Sequence, residues 1–320
     1  MTTVLGEKES IAIRYMRVLA MCSIVSCHFM QALDNHWAWV FNIGVQVFLL
    51  ISGFLYGHKH VDNWLQWYRK RFVRIYIPFI LFFVAIVPLY TVTERITIKN
   101  IVVYIADMQG IWGGVKGLGH LWFLTAIAFC YAITPFLQWT RKYSRLLIWL
   151  AIAVMAVILL RFPGYCYRCF VALPLYAFGY YLALIGRYGR WTLGAMAVGV
   201  LIWLMTMFSW EKMMLMSGNW SMAFHNAGAI FIFLWGLKLI TVLKAQKVVW
   251  PVKKLDKYSF QIYIVHHILI MKPFGMLWLT DSVTMNIVVI LSYIPFYTWV
   301  LCKCEEKVET MLEKIKTKSI

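Results

Sequence analysis

Arg17 and His28 are the first residues along the chain whose types and spacing could do chemistry together. Both lie in an apolar stretch, where ionisable groups are costly and usually face a bundle interior. They are eleven positions apart, which on a helix leaves them within about 20° of one face and about 16 Å apart along the axis. Such a face could hold an anionic ligand head with Arg17 and present its far end to the His28 imidazole. The alternative is that Arg17 snorkels to headgroups and His28 is a hydrogen-bonded interior histidine.

A second basic group, Arg69, Lys70, Arg71 and Arg74, sits just before another apolar run. Arg71 and Arg74, at i and i+3, can converge on one phosphate. A phosphate-bearing anionic ligand would suit such a cluster; an ordinary positive-inside cluster is the other reading. Ser52 adjoins Gly53 and is either a nucleophile, given a nearby base, or half of a small pair that lets helices pack closely. Ser259, Tyr263 and His266 share a helix face, where Tyr263 and His266 either position substrate or make structural hydrogen bonds. His120, two residues before Trp122, is an acceptor-site group or an interfacial residue. His58 and His60 read as solvated, and His36 and His225 have no evident partner. Cys166 and Cys169 form one CxxC with no second pair or histidine, and no HExxH occurs, so neither a metal nor a redox centre is expected.

These residues must be positioned by membrane helices. The 320 residues are 62% hydrophobic and only 14% charged, with a mean hydropathy of +0.72. A soluble domain is about 45 to 50% apolar, so a soluble enzyme, a secreted disulfide scaffold and a disordered chain are all excluded. Runs of about 20 apolar residues predict an all-α polytopic protein with about ten transmembrane helices: Ile11 to Met30, Ala38 to Tyr56, Ile75 to Val92, Leu118 to Trp139, Leu146 to Leu160, Cys169 to Leu184, Trp191 to Phe208, Met222 to Leu243, Phe260 to Leu279 and Ser282 to Leu301. Ile98 to Ala106 is too short to cross. The first run, preceded by only ten residues of mixed charge, is expected to stay as a helix and not to be cleaved as a signal peptide.

The net charge of +18 is explained by topology rather than nucleic acid. With the N-terminus inside, 24 of the 31 Lys and Arg fall on the cytoplasmic side and 7 outside, so both termini are expected in the cytoplasm, where the basic loops meet anionic lipid. No linker or repeat divides the chain, which predicts one integral domain over residues 1–320, with a short N-terminus (1–10) and a charged tail (303–320) that extends the last helix.

An Arg, ten residues and a His in the first membrane helix resemble the acyltransferase 3 family, membrane-bound O-acyltransferases that modify bacterial surface polysaccharides. Further segments resemble the family's in the same order. They are Gly44-Val45-Gln46-Val47-Phe48-Leu49-Leu50-Ile51-Ser52-Gly53-Phe54, then Arg71-Phe72-Val73-Arg74 before Pro78, Gly119-His120-Leu121-Trp122-Phe123-Leu124, and Ser259 through His267. Two positions depart from the family pattern: Arg14 stands where the family often has Asp, and Val18 where it often has Gly.

The resemblance implies transfer of an acyl group, acetyl above all, from cytoplasmic acetyl-CoA to a hydroxyl of a surface polysaccharide, glycolipid or lipid-linked precursor, in the bacterial plasma (inner) membrane. His28 would be the general base or acyl relay. Arg17, Arg71 and Arg74 would hold the CoA phosphates, and Ser52, His120, Trp122, Tyr263 and His266 would stand on the substrate side. The expected partners are acyl-CoA, the glycan acceptor and membrane lipid, with no metal and no nucleic acid. A transporter or flippase is the rival reading; the absence of Asp and Glu from the ten expected spans and of an evident repeat weighs against it.

Overall fold

The computed structural model describes residues 5–93, 95–161, 167–186, 194, 218–242 and 247–318, and among these residues it is helical with no strand. The expected span Trp191 to Phe208, apart from Gly194, lies outside the described residues, as does Cys166. In chain order the helices are α1 (Glu7–Ala32), α2 (Ala38–Phe41), α3 (Gly44–Gly57), α4 (Trp64–Val92), α5 (Ile98–Ile105), α6 (Gln109–Trp112), α7 (Trp122–Trp139), α8 (Ser144–Arg161), α9 (Tyr167–Ile185), α10 (Gly218–Val242), α11 (Trp250–Ile270) and α12 (Val283–Lys318).

Six segments among the described residues are long and apolar enough to cross a membrane: Glu7–Ala32, Ala38–Gly57, Trp64–Val92, Gly119–Trp139, Arg168–Ile185 and Val283–Leu312. Their outer faces are apolar. Val288, Leu291, Phe296 and Trp299 of α12 are all at least half exposed, an arrangement that water would penalise and lipid accepts. The charged tail continues α12 without a break to Lys318.

Close packing centres on α3. A Cβ on Gly53 would collide with the Tyr176 carbonyl oxygen of α9, and one on Gly57 with that of Tyr180, while Gly179 of α9 has the same relation to Leu50. This small-xxx-small seam lets the two backbones touch. Gly44 likewise brings the start of α3 against the backbone of Ala20 in α1.

The ninth span, expected over Phe260 to Leu279, is a helix from Trp250 to Ile270. It starts early because Pro251 suits a first turn, and it stops at an extended Met271 ahead of Pro273, which cannot donate within a helix. The short stretch at Ile98 to Ala106 forms the eight-residue α5, capped by Thr97 and Asn100. Tyr76 in the middle of α4 donates to the Ile105 carbonyl, so α5 and the loop after it pack along the bundle wall.

Candidate active site

α1 and α11 run parallel and meet twice. Near their starts, Arg17 forms an ion pair with Asp256, Nε to Oδ1 at 2.7 Å, and its Nη2 donates to Oδ2 at 2.9 Å. Eleven residues further along α1 and ten along α11, His28 Nδ1 lies 2.8 Å from His266 Nε2. The two contacts are therefore about 15 to 16 Å apart on each helix. Buried Ala20, Ile24 and Cys27 of α1 fill the interval at helical spacing.

Around His28 stand three more imidazoles. His266 stacks on it with ring centroids 5.0 Å apart, His267 meets it edge-on at 4.5 Å, and His120 lies at 6.4 Å and stacks on His267 at 4.2 Å. Hydrogen bonds to carbonyls, which can only accept, fix the tautomer of each neighbour. His266 Nδ1 donates to Ile262 O, His267 Nδ1 to Gly117 O and His120 Nε2 to Ile264 O. With its proton on Nδ1, His266 has a bare Nε2, so it must accept from His28 Nδ1. Neutral His28 then carries its own lone pair on Nε2, on a ring that lines a cavity of about 150 Å³.

The segment that carries His120 is clamped by α11. His267 grips the Gly117 carbonyl, and the Tyr263 hydroxyl donates to the His120 carbonyl. Gly117 has φ +87, and a side chain there would strike the Tyr90 hydroxyl and Pro273, so glycine is required at this turn. Gln109 closes the other side by donating to Leu121 O.

His28, His120, Trp122 and Tyr263, named from sequence at widely separated positions, thus line one cavity, and His266 supports His28 from behind. Ser52 lies elsewhere, half-buried in the packed half of α3 and not on the cavity wall. Sequence reasoning did not single out His267 or Gln46, and the opposing wall adds Ser221 and His225 of α10. His225 donates to the Trp39 carbonyl, which accounts for a residue that had no evident partner. Among the described residues no group of three or more His, Cys, Asp or Glu could hold a metal ion; His120, His266 and His267 each spend one ring nitrogen on a separate carbonyl. Cys169 is buried, with its thiol toward Gly110 O.

Arg71 and Arg74, one turn apart on α4, form a cationic patch with Lys59 and with the Arg17 end of α1. Arg74 lies within electrostatic range of Arg17, Asp256 and Lys59. Burial, reinforced by Arg71 and Arg74, holds the Lys59 ammonium below its usual range. The Arg71 guanidinium rests on the faces of Tyr56 and Trp67, 5.3 and 5.9 Å from the ring centroids. Its Nε is buried with no hydrogen-bond partner. Among the described residues neither Arg71 nor Arg74 has an acidic partner within ion-pair distance, whereas Arg17 has Asp256.

No curated protein and no solved structure matches the chain. A family model described as an acyltransferase domain matches residues 10–302, a range that takes in most of α1, α11, the clamped His120 segment and the arginines of α4. The chain therefore belongs to the acyltransferase 3 family and is a multi-pass membrane acyltransferase.

Proposed function

We propose that the protein is an O-acyltransferase of a bacterial plasma membrane that moves an acyl group, acetyl in the first instance, from cytoplasmic acyl-CoA to a hydroxyl of a glycan or lipid-linked glycan. The observation that carries this reading is the hydrogen-bond chain from the Ile262 carbonyl through His266 to His28, which leaves a lone pair on Nε2 of a histidine that lines the cavity. A hydroxyl seated there gives its proton to Nε2 as its oxygen attacks the thioester carbonyl. The new C–O bond forms, the C–S bond breaks, and the proton passes from the imidazolium to the departing CoA sulfur. As His28 becomes cationic, its Nδ1–H bond to His266 becomes charge-assisted and strengthens when the positive charge develops.

Arg71 and Arg74, which have no acidic partner within ion-pair distance among the described residues, take the CoA phosphates, and Arg17 adds positive potential while fastening α1 to α11 through Asp256. The flexible arm between the phosphates and the thioester of CoA suits a donor held at one end of α1 and reacting near the other. Trp122 and Tyr263 offer the apolar and hydroxyl-bearing surfaces that sugars use, and His120 completes that wall.

The test is release of CoA thiol from acetyl-CoA by purified protein in lipid nanodiscs, with and without a host glycan extract. Acceptor-dependent release that His28→Ala abolishes is expected, at a cost of about 10²–10⁴-fold in rate for a positioned base. Release unaffected by His28→Ala would sink the mechanism. No release from folded wild-type protein would turn the assignment toward carriage of a glycan.

A further inference from the structure

The histidine cavity has a base, but an acyl transfer also needs a donor for the carbonyl oxygen, on which negative charge grows as the hydroxyl attacks. Several polar hydrogens on the cavity wall are already committed. His120 Nε2–H is held by Ile264 O, the Tyr263 hydroxyl by His120 O, and the His225 proton by Trp39 O. Gln46 differs. It sits in the first turn of α3, is only 4% exposed, and lines the cavity together with His28. Its Nε2 reaches nothing better than the Met222 thioether, 3.2 Å away, and a thioether is a weak acceptor. Its Oε1 is buried with no partner.

A buried carboxamide left this way costs free energy that an apolar residue of the same shape would not. Exchanging the amide's oxygen and nitrogen, which are hard to tell apart, leaves the same deficit, because either orientation aims at least one N–H at no oxygen or nitrogen. Asn42, four residues earlier, is exposed at the cavity mouth, so Gln46 is the deeper carboxamide of the two. Gly44 holds this turn of α3 against the α1 backbone at Ala20, two turns before His28.

We propose that Gln46 is a catalytic residue whose side-chain N–H donates to the acyl carbonyl oxygen while His28 takes the acceptor's proton, a role that rests on the acyl-transfer reading above. The amide is unsatisfied in the free protein because its partner is the substrate. Because Gln46 is buried, the bond strengthens as the oxygen gains charge, and stabilises the transition state more than the ground state.

Gln46→Met, which keeps the length and volume but removes the N–H, is the deciding variant. Expected is a fall in kcat of about 100-fold or more, with little change in KM for acyl-CoA, and a melting temperature equal to or above that of wild type. A wild-type kcat in Gln46→Met, measured alongside an inactive His28→Ala, would overturn the role of Gln46 and leave acyl transfer intact. A lowered melting temperature would mark Gln46 as structural and overturn it too. A wild-type protein that transfers nothing would remove the parent reading and this assignment together.

Discussion

His266 acts on the proposed chemistry through His28 and not by touching the acceptor. Its Nδ1 is spent on the Ile262 carbonyl, so its only free function is to accept from His28 Nδ1 and hold that ring in the tautomer whose Nε2 is bare. A side chain that accepts without ambiguity should replace it in part. His266→Gln, with a carbonyl oxygen for the His28 proton, is expected to keep markedly more kcat than His266→Leu. The leucine variant should lose a large share of the about 10²–10⁴-fold that an oriented base supplies. Equal rates for the two variants would remove the orienting role. His28, His120 and Tyr263 were legible in the sequence because an ionisable or hydroxyl group in an apolar run stands out. His267 was not, since adjacent residues on a helix point about 100° apart and only the wrapped segment from Gly117 to Leu121 brings both imidazoles to one site. Gln46 was hidden for a related reason: a polar residue in the first turn of a helix ordinarily faces water.

At the scale of helices, the pairing of α1 with α11 is what makes the site. Two polar contacts, Arg17 with Asp256 and His28 with His266, hold the helices in register, and apolar residues alone would allow them to slide. The register prediction concerns the remote contact. Asp256→Asn leaves every cavity residue in place, yet it strips the charge partner from an Arg17 side chain that is 28% exposed, beside an aspartate that is 7% exposed. Removing one partner of a buried pair costs about 3 to 5 kcal/mol, and less for a pair that solvent partly reaches. Asp256→Asn should therefore lower the melting temperature and reduce kcat, while Arg17→Ala with Asp256→Ala, which strands no charge, should recover part of the stability. If the double variant is no more stable than the single one, the contact is not a coupled pair. Asp256 was not legible as Arg17's partner because the apolar run used to place the span begins only at Phe260, one turn too late; the preceding Lys253, Lys254 and Lys257 read as loop. The α3 and α9 seam was legible only in part, in the Ser52–Gly53 pair of small residues, and the sequence alone could not say which helix fills it.

Across the whole molecule the two halves of the proposed reaction lie at opposite ends of α1, and they should respond to different variables. Among the described residues the patch of Arg71, Arg74 and Lys59 carries several positive charges with no acidic partner within ion-pair distance, and Arg71 and Arg74 add repulsion to the burial that lowers the Lys59 ammonium. A polyanion such as CoA relieves that repulsion, so donor affinity should depend on salt, because at about 0.1 M the screening length falls to about 10 Å. The KM for acyl-CoA of the wild type is expected to rise steeply with ionic strength. In Arg71→Ala and Arg74→Ala it should start higher and rise less, with kcat at saturation largely preserved. His28→Ala should show the converse, a lost kcat with the salt response of donor binding intact. Steady-state kinetics at several salt concentrations, with direct acyl-CoA binding measured for the inactive His28 variant, separates the two. A KM indifferent to salt, or arginine variants that lose kcat alone, would take the donor away from this patch and leave its charge to lipid headgroups, which a basic surface at a membrane boundary also attracts.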